Sequence, residues 1–217
     1  MSWARVHRWL GIGLVVLLAV WSITGLLFHL KPGWDRAYDQ LSAERRASSL
    51  QLAGVAPVGT LRASAADAAI VRVELFDTAL GALYRITTTQ GTELVDATTG
   101  LPWPPLDAAA ARTLASDAIT RSPHRDAYGA ITDVVLDEQV ARLRFASGAV
   151  VEVGRRDARI SQRGPDTDRI DWLYRIHYLQ WTGHRGVDRV LSLLGLALIW
   201  AVLVPGIVLF VRRVRGA

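Results

Sequence analysis

Two stretches without a single charged residue constrain this chain more than anything else in it. Trp9 to Leu30 reads WLGIGLVVLLAVWSITGLLFHL, and Val190 to Val211 reads VLSLLGLALIWAVLVPGIVLFV. Each is 22 residues long, and a helix needs roughly 20 apolar residues to cross about 30 Å of hydrocarbon. Two such segments are expected to span a membrane rather than to form core helices of a soluble protein. The first begins like a signal peptide, with Arg5 and Arg8 ahead of the apolar run. It is longer than an ordinary h-region, however, and no small-x-small cleavage site precedes Lys31, so a retained span is the expectation. Pro205 and Gly206 are tolerable in lipid and predict a kink in the second span.

These spans divide the chain into four parts: a tail and first helix over 1–30, a globular domain over 31–167, an approach segment over 168–189, and the second helix with its basic tail over 190–217. Arg5 and Arg8 at one end, and Arg212, Arg213 and Arg215 at the other, place both termini in the cytoplasm by the positive-inside rule. Lys31, Arg36, Arg185 and Arg189 on the opposing flanks blunt that bias, but long loops are largely exempt from it. The middle domain is then expected outside, in a bacterial periplasm, with the helices in the inner membrane.

The net charge is +5, and Lys31 is the only lysine among 25 basic residues. Several arginines flank the apolar segments, which points to lipid headgroups. No basic run interleaved with aromatics suggests nucleic acid. The absence of cysteine excludes disulfides, thiolate metal sites, iron–sulfur clusters and cysteine nucleophiles.

Between the spans, helical and alternating patterns occur twice, as in a duplicated unit. The first has a helical stretch near Leu61–Ala69 and strands at Ile70–Phe76, Leu83–Thr89 and Thr92–Asp96, with turns at Gly81 and Gln90-Gly91. The second has a helix from about Leu106 to Thr120, favoured by Asp107 and its alanine run. Strands follow at Ile131–Leu136, Val140–Phe145, Ala149–Val153 and Ala158–Gln162, with Ser147-Gly148 as a hairpin turn. Each unit is a helix on an antiparallel sheet, so the fold class is membrane α+β. No paired carboxylates, Ser/His/Asp arrangement or HExxH pattern marks a hydrolase. His124 sits in a polar loop and reads as solvated.

The other four histidines, His7, His29, His177 and His184, frame the spans. His7 and His29 lie 22 residues apart, hence about 40° apart in direction on one helix face and roughly 33 Å apart along it. His177 and His184 are seven apart and share a face if one helix runs through Gly183. On an antiparallel hairpin the His29 end of the first span meets the approach to the second. An imidazole in or beside a bilayer is costly unless partnered. With no cysteine or acidic cluster nearby, two histidines on facing helices suit bis-imidazole ligation of a haem iron, His29 and His177 being the metal ligands. The propionates would lie near Lys31, Arg175 or Arg185. Interfacial histidine without a cofactor stays open, and so does a flat amphipathic helix over Asp168–Trp181 that keeps His177 away from His29. Trp3, Trp9, Trp34, Trp172 and Trp181 are at anchoring depth, and Gly11, Gly13 and Gly25 permit close helix contact.

Val6-His7-Arg8-Trp9-Leu10-Gly11, Ser22-Ile23-Thr24-Gly25-Leu26-Leu27 and Phe28-His29-Leu30-Lys31-Pro32-Gly33-Trp34 resemble the first helix of PepSY-associated transmembrane proteins. Ile176-His177-Tyr178-Leu179-Gln180-Trp181, leading into Val187-Asp188-Arg189-Val190-Leu191, is similar to their closing segment. Asp96-Ala97-Thr98-Thr99-Gly100 with Pro102-Trp103 resembles a PepSY strand and its exit. The resemblance implies a helix packed on a small antiparallel sheet, often duplicated. Larger members include haem-bearing inner-membrane reductases of ferric siderophores, so it implies haem b held by His7, His29 and His177, with His184 a weaker match. Two spans are fewer than those reductases have, which implies a homodimer or a larger iron-uptake assembly if haem is enclosed. The competing expectation is a non-enzymatic anchored module acting on an envelope partner or protease.

Overall fold

The computed structural model of the chain describes residues 3–45, 54–61 and 68–216, with the backbone alone at 3–7, 10, 209–210 and 212–213. The chain divides into two compact units, Met1–Trp34 with Asp168–Ala217, and Asp35–Thr167.

In the first unit, α1 runs from Trp3 to Leu30 and α5 from Arg185 to Arg215. Their 28 and 31 residues correspond to about 42 and 46 Å at 1.5 Å per residue. Among the described residues they are the two helices long and apolar enough to cross a membrane. Their apolar side chains face outward, as at Val16, Ile23, Leu193 and Leu194. A water-soluble fold would bury such a surface, whereas hydrocarbon solvates it. The two helices pack on each other, and α5 stays helical through Pro205.

Lys31, with φ 48°, ends α1, its N–H bonding the Leu27 carbonyl at 2.8 Å. Short α2, Trp34–Ala37, follows. The approach segment forms α4 over Pro165–His177. Its end is closed by a Gln180 N–H to Arg175 carbonyl bond of 2.8 Å, with Leu179 in the left-handed region at φ 54°. Gly183, at φ 75°, turns the chain into α5.

The second unit holds two antiparallel sheets. The first is β1 (Ile70–Thr78), β2 (Gly81–Thr88) and β3 (Gly91–Asp96) in that order; the second is β4 (Ile131–Leu136), β5 (Val140–Phe145), β6 (Val150–Gly154) and β7 (Ile160–Arg163). Helix α3, Ala108–Arg121, starts where Asp107 accepts from the Ala110 N–H at 2.8 Å. Its stripe Ala111, Leu114, Ala115, Ala118 and Ile119 is buried, the i, i+3, i+4, i+7, i+8 face of an amphipathic helix. It joins one core with Leu83, Leu94, Leu143, Val151 and Val153, so side chains from both sheets share it. Strand β2 alternates between two environments. Leu83 enters that core, while Tyr84 and Ile86 enter a smaller cluster with Leu61 and Val95. The helix expected near Leu61–Ala69 falls mostly on 62–67, outside the described residues.

Arg85, on β2, is a charge that the sequence pattern hides. Its side chain is 5% exposed. Its Nε donates to the Asp157 carbonyl at 2.7 Å, and its Nη1 to Glu44 and Glu74 at 3.0 and 3.3 Å. The guanidinium also lies 4.4 Å from the Phe76 ring centre. A second polar cluster joins Asp39 to the Ser122 and Tyr128 hydroxyls. Burial and the Asp39 carboxylate push the Tyr128 phenol well above its ordinary value.

Candidate functional site

The chemistry singled out in the sequence gathers in the first unit. His177, the last residue of α4, lies against α1. Its ring stacks on Trp21 with centroids 5.3 Å apart and planes 9° from parallel, and it meets the edge of Phe28 at 4.9 Å. Tyr178 closes in at 5.2 Å. The ring also lies against Gly25, where a Cβ would stand at an ordinary contact distance of 3.7 Å from the imidazole Cε1. Phe28 continues the aromatic run to Tyr174 at 4.7 Å and Trp34 at 5.9 Å. Residues 21, 24, 25 and 28 recur at helical spacing, which is why one face of α1 meets one imidazole.

The Nδ1 atom of His177 sits 2.9 Å from the Thr24 hydroxyl oxygen. That oxygen is also 2.9 Å from the Val20 carbonyl and 3.0 Å from the Trp21 carbonyl. A threonine hydroxyl has one hydrogen, and a helical threonine gives it back to the carbonyls one turn earlier. Thr24 then accepts from Nδ1–H, and the tautomer leaves the His177 lone pair on Nε2. Among the described residues, no hydrogen bond engages Nε2.

The remaining histidines are placed apart. His29 is exposed on α1, and no ring contact or hydrogen bond joins it to His177 among the described residues. The approach segment meets α1 at Trp21–Phe28, to one side of His29. His184 stands exposed in the turn before α5, its N–H donating to the Thr182 hydroxyl at 3.2 Å. The face it was expected to share with His177 does not exist. That expectation required a helix continuous through Gly183, and the left-handed residues Leu179 and Gly183 break it. His7 lies on α1, but its side chain is outside the described residues. His124, in the other unit, faces Asp35 at 3.7 Å. Among the described residues no group of three or more His, Cys, Asp or Glu is arranged to hold a metal ion.

Thr24 and Trp21 were not singled out by sequence reasoning. Their signal was present: a hydroxyl and an indole three residues apart inside an uncharged run, on the face of Gly25. Asp188 was missed too. It is buried on α5 and accepts from the Thr182 N–H at 3.0 Å and hydroxyl at 2.8 Å, holding the turn in place.

Two long lipid-facing helices, together with a separate unit of helix and antiparallel sheets, define a membrane α+β protein. The family described as PepSY-associated TM region matches residues 4–217, and the chain belongs to it. No curated protein and no solved structure matches the chain.

Proposed function

We propose that this protein is a haem b carrier of the bacterial inner membrane, passing electrons across the bilayer toward an external acceptor, ferric iron in a siderophore-type complex. The observation that supports it is His177: an imidazole pinned at Nδ1, walled by aromatic rings, and left with its Nε2 lone pair uncommitted. Metal-bound histidines almost always donate their other ring N–H in this way.

The donor chemistry fits a haem iron, and His177 with His29 would hold it. When bound, the haem supplies a one-electron carrier. Because His29 faces outward on α1 and does not meet His177, a homodimer is required to pair a His29 with a His177. His7, about 33 Å from His29 along α1, is the candidate for a second level near the other surface. His184 sits on a turn, and the ligand set does not require it. In this arrangement both termini are cytoplasmic, the Asp35–Thr167 unit is periplasmic, and its two sheets are the halves of a duplicated PepSY unit. Thr24 orients the ligand ring and Trp21 fixes its plane. The test is an absorption spectrum of full-length protein purified from haem-replete cells. A Soret band is expected that is lost in His177→Ala and in His29→Ala; colourless wild-type protein overturns the proposal.

A second reading has one observation in its favour. Strand β4 is an edge of its sheet, with Val135 and Leu136 each 43% exposed. Such an edge accepts an added strand, as an anchored module for an envelope partner or protease requires. Partner capture by full-length protein lacking all four membrane histidines would favour it over the first.

A further inference from the structure

Two cavities of the first unit meet at one residue. The first, about 590 Å³, opens beside the end of α4, the 178–184 turn and the start of α5, and is lined by Arg175, Arg185 and Arg189. Among the described residues none of these guanidinium groups has a carboxylate partner. The one acid on the lining, Asp188, turns its carboxylate to Thr182. The second cavity, about 390 Å³, runs between α1 and α5 and is almost wholly apolar, with Gly13, Trp21, Leu179, Gly195 and Ile199 among its walls. Ser192 lines both. Its hydroxyl is already spent on the Asp188 carbonyl at 2.9 Å, and the Trp181 indole N–H on the Ile176 carbonyl at 3.3 Å. Neither donor is free to recognise a polar group deep in the cleft.

A cationic cavity that shares Ser192 with an apolar trough matches an amphiphile with an anionic head. We propose that α1, α5 and the 178–184 turn bind one anionic phospholipid, its phosphate among Arg175, Arg185 and Arg189 and one acyl chain lying past Ser192 toward Gly13 and Gly195. Guanidinium groups take phosphate oxygens bidentately, and basic pockets beside transmembrane helices bind lipid headgroups. Gly13 is one wall of the trough. A Cβ at Gly13 would have nothing within 4 Å, so this wall of the trough is open. None of the histidines His29, His177 and His184 lines either cavity, so the site does not rest on the haem proposal.

Native mass spectrometry of the full-length protein in detergent tests this with phosphatidylglycerol and phosphatidylcholine of identical chains. Retention of phosphatidylglycerol about tenfold over phosphatidylcholine is expected, equivalent to about 1.4 kcal/mol. The triple variant R175Q/R185Q/R189Q is expected to abolish that preference. Gly13→Leu, whose Cβ would meet no atom within 4 Å, is expected to fill part of the trough and lower retention of both lipids; Gly195→Leu replaces it should that variant fail to fold. His29→Ala, at a position exposed and away from both cavities, is expected to leave retention unchanged, so loss of haem and loss of lipid separate. Equal retention of the two lipids, a preference that survives the triple variant, or displacement by glycerol phosphate as efficient as by the whole lipid would each overturn the proposal.

Discussion

Several arginines of one unit are held by partners in ways that those beside the membrane helices of the other are not. In Asp35–Thr167, Arg85 is buried against two carboxylates, a carbonyl and an aromatic ring. Arg45 and Arg121 share Asp117, and Arg142 bridges Asp137 and Glu152. In the membrane unit, Arg175, Arg185 and Arg189 have no carboxylate partner among the described residues. The charge clusters of one unit close on themselves, although Arg112, Arg144 and Arg156 there have no carboxylate partner among the described residues, while the arginines beside the membrane helices of the other stay open at its surface. A self-satisfied unit is scaffold or recognition surface. An unsatisfied one needs something from its surroundings, whether lipid, cofactor or a second copy.

Removing a charge from each unit is the strongest way to break that contrast. Arg85→Ala is expected to destabilise the protein by about 2 kcal/mol, because it removes a buried guanidinium that is hydrogen-bonded to the Asp157 carbonyl and packed on the Phe76 ring. Arg175→Ala is expected to cost less than about 0.5 kcal/mol, the usual size for an exposed site. Denaturation midpoints of the full-length variants in one detergent measure both, and equal shifts would erase the distinction. Thr24→Val sharpens the comparison from the membrane side. It removes the hydroxyl at His177 and is expected to cost about 0.6–1 kcal/mol, the usual worth of a hydrogen bond between membrane helices. In haem-loaded protein it is also expected to shift the absorption maximum, while Thr24→Ser retains the wild-type spectrum. An unshifted spectrum would leave Thr24 as packing alone.

Local structure was legible wherever a pattern repeats over a few residues. Ile131–Leu136 and Val140–Phe145 are strands over the bounds that their alternation predicts, and Asp107 caps α3 as its position suggests. The apolar helices were legible from length and absence of charge. Contacts between distant residues were not. Arg85 interrupts an alternating strand and reads as a solvent-facing residue; only the loop carbonyl at Asp157 and the carboxylate of Glu44, 41 residues upstream, make it internal. His177 was singled out, but the sequence leaves open whether it meets His29 or lies on a flat helix away from it. The actual face, Trp21–Phe28, depends on where α4 stops, and that is decided by a left-handed Leu179, which leucine's steric preferences do not announce. Glycine is the usual signal for such a stop, and here it comes four residues later, at Gly183.

Within the self-satisfied unit, the helix cap gives a smaller effect. Asp107→Ala removes the acceptor for the Ala110 N–H and is expected to cost about 1 kcal/mol. Asp107→Ser, which keeps an acceptor, is expected to recover most of it in the same denaturation series.

The smallest effect tests whether even surface pairs in this unit hold together. Asp117 accepts from Arg45 at 2.6 Å and from Arg121 at 3.0 Å. The hydrogen bond from Arg45 leads the causes that hold its carboxyl below the ordinary value, with Arg121 adding to it. A carboxylate whose folded pKa is depressed contributes stability that is full above its unfolded value, near 3.9, and is lost as pH falls through the lower folded value. The difference in thermal midpoint between wild type and Asp117→Asn is therefore expected to be constant from pH 7 to about 5, then to shrink as pH drops below about 4. With Arg45 42% exposed, the pair is expected to contribute only about 0.5 kcal/mol and to weaken in 0.5 M salt, where the Debye length is about 4 Å. A difference that grows on acidification would mean that folding raises the Asp117 pKa instead of lowering it, and the contrast between the units would fail at its most accessible point.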